Sequence, residues 1–175
     1  MNNIKMQGIE LVDIKYYYDN RGSFLELYRH DKNNEVFLQD NLSFSKENVL
    51  RGMHYQVDPF SQGKLVFCIS GLIYDVVVDI RKNSPTFGMW MGFWLSPENE
   101  KAIWIPPGFA HGFFTLKESY LLYKITNTYN KDSERTLLWN DSTIAIQWPL
   151  FKKDGPLLSD KDVAGKTFEE SEYFL

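Results

Sequence analysis

The chain has 175 residues, 43% hydrophobic and 16% aromatic, enough for one domain with a sizeable core. Lys plus Arg is 19 and Asp plus Glu is 23, a formal charge of -4 without basic runs, which argues against nucleic acid as a partner. The single cysteine, Cys68, excludes an intrachain disulfide or a cysteine-based zinc site, and no segment approaches the roughly 18 apolar residues of a membrane span.

The first ten residues lack the apolar core of a secretory leader, so the expectation is a cytoplasmic protein with no membrane partner. The polar N-terminal segment ends near Glu26 to Tyr28 and is expected to cover a sheet edge by pairing with a partner chain. Short apolar runs follow, and strands are predicted over 35–39, 49–56, 64–69, 73–80, 89–95, 102–105, 111–116 and 120–127. Ser70-Gly71, Asn83-Ser84-Pro85, Ser96-Pro97-Glu98-Asn99 and Pro106-Pro107-Gly108 read as hairpin and turn punctuation between them. No interior stretch holds a 3.6-residue apolar period for three turns. A short helix is predicted over 161–170. No repeat, low-complexity tract or linker divides the chain, so residues 1–175 are expected to form a single all-β domain, a sandwich or barrel.

The chemistry concentrates in Arg51-Gly52-Met53-His54-Tyr55-Gln56, in Gln62-Gly63-Lys64, and in Ala110-His111-Gly112-Phe113. Two of only three histidines sit in these strand-like, turn-flanked segments. An imidazole, an ammonium and a guanidinium converging on one cleft suit removal of a proton next to a carbonyl. They also suit holding an anionic substrate meanwhile.

From about Asp19 to Asp162 the chain carries an ordered set of motifs. They include Asp19-Asn20-Arg21-Gly22, Val36-Phe37-Leu38-Gln39-Asp40-Asn41 and Val49-Leu50-Arg51-Gly52-Met53-His54-Tyr55-Gln56. Further on come Gln62-Gly63-Lys64-Leu65-Val66, Tyr74-Asp75-Val76-Val77-Val78-Asp79-Ile80-Arg81 and Ser84-Pro85-Thr86-Phe87-Gly88. The last are Trp104-Ile105-Pro106-Pro107-Gly108-Phe109-Ala110-His111-Gly112-Phe113, Leu122-Tyr123-Lys124 and Leu158-Ser159-Asp160-Lys161-Asp162. In this order they resemble the dTDP-4-dehydrorhamnose 3,5-epimerase family.

The resemblance implies a cupin-type jelly roll with a few short peripheral helices. It implies a homodimer in which residues 1–30 or so pair with the partner subunit. The implied substrate is a dTDP-sugar with a C4 ketone, dTDP-4-dehydro-6-deoxy-D-glucose, inverted at C3 and C5 to dTDP-4-dehydro-L-rhamnose. No cofactor and no metal are implied, since the ketone already acidifies the neighbouring C–H groups. His54 matches the family's base and Asp162 the carboxylate that pairs with it. Tyr123 matches the opposing acid. Lys64 and His111 match groups beside the sugar carbonyl, and Lys161 a sugar-side contact. Arg21, Glu26, Gln39, Asn41 and Arg51 match the nucleotide end, Tyr129 a ring that stacks on the base, and Phe24 an added apolar contact. Glu134 matches a further binding acid and falls in an expected loop. Ser23 and Thr128 depart from the family pattern, each standing where an aromatic residue is usual.

Each residue alone has a plainer reading: His54 as a core histidine, Asp162 as a surface acid, Tyr123 as a half-buried strand tyrosine, Lys64 as a strand-end lysine. Three rival readings are weaker. A metal-binding cupin would use His-x-His, but His54 is followed by Tyr55 and Gln56. A sugar 3,4-ketoisomerase would want a second histidine at Gln56. A non-catalytic sugar-nucleotide-binding cupin would have no use for His54, Asp162 and Tyr123 together. Epimerisation at C3 alone or C5 alone stays open at this point.

Overall fold

The computed structural model describes residues 6–29 and 35–175. Its strands in chain order are β1 (Glu10–Asp13), β2 (Tyr16–Asp19), β3 (Gly22–Leu25), β4 (Gln39–Ser45), β5 (Leu50–Gln56) and β6 (Lys64–Ser70). They continue with β7 (Ile73–Asp79), β8 (Trp90–Leu95), β9 (Lys101–Ile105), β10 (Phe109–Thr115), β11 (Ser119–Ile125) and β12 (Glu134–Thr136). One four-residue helix, α1 (Asp160–Val163), follows.

Two five-stranded antiparallel sheets result, ordered β1-β9-β6-β11-β4 and β12-β5-β10-β7-β8. The chain changes sheet at nearly every connection from β4 to β12, which is the cupin-type jelly roll. Of the four turn signals, only Asn83-Ser84-Pro85 joins neighbours in one sheet, β7 and β8. Ser70-Gly71, the Ser96–Asn99 turn and Pro106-Pro107-Gly108 carry the chain from one sheet to the other, so they are corners and not hairpins.

Apolar residues cover both faces of both sheets, which is why Val76-Val77-Val78 reads as a continuous run. Val77 joins Val66, Ile103 and Leu121 between the sheets. Val76 and Val78 pack outward against Met53, Leu137, Ile144 and Phe168 of the C-terminal segment. On the other sheet Leu65 and Phe67 face outward, under Ile14, Val12 and Leu25 of the N-terminal segment.

Three expectations need correction. The strand predicted over 35–39 lies over Gln39–Ser45 instead. The apolar alternation there is inverted: Leu42 and Phe44 are 63% and 44% exposed, while Asn41 and Ser43 face the half-buried inner side. The helix predicted over 161–170 stops at Val163, because Lys166 pairs its backbone with Thr136 and Leu138. The edge of β9 is covered by β1 of the same chain, in register Leu11 opposite Ile103. The β2–β3 hairpin stands apart as a separate two-stranded ribbon with Tyr17, Tyr18 and Phe24 exposed.

Candidate active site

A polar cleft opens at one end of the sandwich. It consists of two adjoining cavities of about 270 Å³ and 290 Å³ that share His54, Lys64, Tyr123, Tyr129 and Glu134. Arg51, His111 and Lys161 line the first; Gln39 and Asn41 line the second. Below it the interior is closed by Val66, Phe113 and Leu121.

His54 stands on β5, in register opposite His111 on β10. The two strands approach closely because glycines face each other. Gly52 has φ +135°, and a Cβ there would lie 2.5 Å from Gly112 Cα and 3.0 Å from the His111 carbonyl oxygen. The register shifts between His111 and Phe113, a bulge that re-aims the strand beside the cleft.

His54 Nε2 lies 2.7 Å from Asp162 Oδ1. The approach is off the ring N–H axis, so it is a charge contact more than an aligned hydrogen bond. Asp162 is buried and well supplied with donors. Its Oδ1 accepts from the Gly52 N–H at 3.1 Å, and its Oδ2 accepts from the Ser159 hydroxyl at 2.6 Å and N–H at 3.2 Å. Burial pushes the Asp162 carboxyl upward, but His54, Ser159 and Gly52 together hold it far below the ordinary carboxylate range. Burial lowers the His54 pKa, opposed by Asp162 and reinforced by Lys161 and Lys64. The imidazole is therefore neutral near neutrality, as a base should be.

Lys64 donates to the His54 carbonyl oxygen at 3.2 Å. Burial brings its pKa down to about 8, with Asp75 and Glu134 opposing. Tyr123, on β11 between Asn41 and Val66, has its phenol pushed up by burial, with Arg51 pulling the other way. His111 Nε2 lies 2.8 Å from Asp75 Oδ2, and Asp75 is fully buried. Asp75 is a carboxylate that sequence reasoning passed over as part of a motif. The only signal was an acid at an inward position of an otherwise apolar strand.

Glu134 sits on β12, opposite Gln56, and not in the loop expected for it. It ties the cleft mouth together, accepting from Lys161 Nζ at 2.6 Å and Tyr129 Oη at 3.0 Å. Burial raises its carboxyl, and Lys161 outweighs this to leave it below its ordinary range. The exposed Tyr129 is also held through its N–H by Gln39 Oε1 at 2.9 Å, while Gln39 donates to Asn41 Oδ1 at 2.8 Å. Gln56 steadies the same loop by donating to the Thr128 carbonyl and accepting from the Asn130 N–H.

The structure thus gathers His54, Lys64, Asp162, Tyr123, His111, Tyr129, Glu134, Lys161, Arg51, Gln39 and Asn41 around one cleft. Arg21, Phe24 and Glu26 line neither cavity of their own chain. Arg21 is paired with Asp19 at 2.6 Å in the β2–β3 turn, Phe24 packs on Tyr17, and Glu26 lies 3.7 Å from Arg29. Among the described residues, no group of three or more His, Cys, Asp or Glu side chains is arranged to hold a metal.

The family model for dTDP-4-dehydrorhamnose 3,5-epimerase matches residues 3–170. The dTDP-4-dehydrorhamnose 3,5-epimerase of Shigella flexneri is 47% identical, each chain covered in full. That of Salmonella typhimurium is 48% identical over 92% of this chain and 91% of its own. The crystal structure of dTDP-6-deoxy-D-glucose-3,5-epimerase from Legionella pneumophila, in complex with dTDP-4-keto-L-rhamnose, superposes with a TM-score of 0.91. It is 41% identical, over 97% of this chain and 93% of that one. Matched from end to end and in three dimensions, the chain belongs to the dTDP-4-dehydrorhamnose 3,5-epimerase family.

Proposed function

We propose that this chain inverts C3 and C5 of dTDP-4-dehydro-6-deoxy-D-glucose to give dTDP-4-dehydro-L-rhamnose. The observation that carries this reading is the division of the cleft between two sheets. His54 and its carboxylate approach from β5, and Tyr123 approaches from β11 on the facing sheet. A flat ring lying between the sheets meets a base on one side and an acid on the other, which is what inversion next to a carbonyl requires.

With Nε2 directed to Asp162, His54 Nδ1 carries the lone pair that takes the proton. Asp162 then stabilises the imidazolium. The C4 oxygen gains negative charge as the proton leaves. Lys64, still an ammonium at neutral pH, and His111 backed by Asp75 stabilise that charge where water is scarce. Tyr123 delivers a proton to the opposite face. One bond to hydrogen breaks and one forms at each carbon, so no redox partner enters. The Tyr129 ring takes the thymine, and Arg51, Gln39, Asn41, Glu134 and Lys161 hold the rest of the nucleotide sugar.

We further propose that residues 1–175 act as one domain in a homodimer. Two features support this: the exposed aromatic β2–β3 ribbon, and the apolar outer face of β4. In a dimer that exchanges N-terminal segments, Arg21, Phe24 and Glu26 reach the partner's cleft. A stable monomer in light scattering would overturn it. The buried free thiol of Cys68 fits a reducing compartment such as the cytoplasm.

The decisive test is NMR of the 4-keto sugar nucleotide in heavy water, following C3 and C5 separately. Deuterium should enter at both positions with inversion. His54→Ala should slow both exchanges by about 10²–10⁴-fold. A His54→Ala chain that keeps near-native exchange would remove His54 from the role of base.

A further inference from the structure

We propose that Ser43 is a diphosphate-binding residue, its hydroxyl donating to a phosphate oxygen of the nucleotide sugar beside Arg51. The inward row of β4 is Gln39, Asn41, Ser43 and Ser45, an unbroken polar file on the inner side of a sheet whose other inward residues include Val66 and Leu121. Three of the four are engaged. Gln39 and Asn41 bond each other, and Ser45 Oγ accepts from Arg51 Nε at 2.9 Å. Ser43 is the exception: its Oγ is covered and has no hydrogen-bond partner.

Nothing in the fold calls for that hydroxyl. Ser43 is opposite Leu121 in the β4–β11 ladder, and the same cavity is lined by Val66 and Phe113. Alanine would fill the position without leaving a buried polar atom unpaired, and such atoms are uncommon in native proteins. His54 Nε2, already placed in the cleft, is among the few others in the described residues. A hydroxyl set without a partner in a ligand cavity is complete only when a ligand arrives.

The position selects the ligand group. Side chains on one face of a strand repeat about every 6.6–6.8 Å. Ser43 therefore lies one step from Asn41 and one step from Ser45, the residue that anchors Arg51. Arg51 also donates through Nη2 to the Phe44 carbonyl at 3.1 Å, which leaves further guanidinium donors for an anion in the cavity both residues line. A phosphate taken by Arg51 is within reach of Ser43, and a hydroxyl to an anionic oxygen makes a strong, charge-assisted bond. The serine χ1 has three staggered wells, so the hydroxyl can turn to the ligand without backbone movement.

Ser43 takes this role only if the substrate is the sugar nucleotide proposed above, so the probe is dTDP itself, which lacks the sugar. By calorimetry, Ser43→Ala should bind dTDP about tenfold or more weakly than the native chain. KM for the 4-keto sugar nucleotide should rise by a similar factor, with the loss falling on KM and not on kcat. Ser43→Thr, which keeps the hydroxyl, should recover most of the affinity. Unchanged dTDP affinity in Ser43→Ala overturns the proposal, including the case where kcat falls, since the hydroxyl would then act at the sugar. An unfolded Ser43→Ala chain beside a folded Ser43→Thr overturns it too, by assigning the hydroxyl to the fold. If the native chain binds no dTDP, the sugar-nucleotide reading falls first. If it binds and Ser43→Ala binds equally, only the role of Ser43 falls.

Discussion

Lys64 and His54 set the pH window of the reaction from opposite sides. The Lys64 ammonium is present below its pKa of about 8 and lost above it, so stabilisation of the C4 oxygen fades on the alkaline side. His54 must be neutral to take a proton, and its lowered pKa keeps it neutral below the ordinary imidazole value of about 6.5. The kcat/KM profile for exchange is expected to break near 8 on the alkaline limb and below the usual imidazole range on the acid limb. A profile flat through 8 would remove Lys64 as the titrating electrophile. Tyr123 titrates outside this window, because burial pushes the phenol up and keeps its proton in place. Tyr123→Phe should therefore separate exchange from inversion: deuterium enters from the His54 side and configuration is largely kept. Full-rate inversion by that variant would assign the acid to Tyr129 or water.

Elements show where the sequence was readable and where it was not. The strands near 49–56, 64–69, 73–80 and 120–127 appear within a residue or two of expectation, because apolar side chains on both faces leave a dense run. β4 was displaced because its polar file lines a cleft, so the usual alternation runs backwards. β12 spans three residues and carries no apolar signature; it exists because β5 offers it an edge. α1 is one turn long, held by Ser159 through a reciprocal capping box with Asp162, and no periodicity can announce a helix that short. His54, Lys64, His111 and Tyr123 were legible as a set because their motifs are strand-bound. Asp75 and Ser43 were not, since their meaning lies in what they face. The Gly52–Gly112 approach makes one further prediction. Gly52→Ala forces a Cβ into β10 and a side chain into a φ of +135°, so it should destabilise the fold by about 2–4 kcal/mol in denaturant titration. It should also misplace His54 two residues on, lowering kcat more than a surface change of equal stability cost.

At the scale of the whole molecule, the two ends of the chain cover the outer faces of the two sheets. The N-terminal segment lies over Leu65 and Phe67, and residues 137–175 lie over Val76 and Val78. No helix among the described residues is long and apolar enough to cross a membrane. The C-terminal stretch does more than cover. It is stitched to the sheet by bridges at Val49–Leu157, Leu137–Lys166 and Arg81–Phe174, and it delivers Asp162 to the Gly52 N–H across 110 residues of sequence. The carboxylate therefore leaves the ribosome long after the histidine it serves, by about 5–20 s at ordinary elongation rates of ~5–20 residues per second. Both sheets can close during that interval with the base unsupported. A nascent chain arrested after Gly155 should thus contain a folded jelly roll and no competent epimerase. Supplying residues 156–175 as a separate peptide should restore heavy-water exchange. Catalysis in this molecule is then a signal that translation has finished, and activity timed against synthesis would record the arrival of its last 20 or so residues.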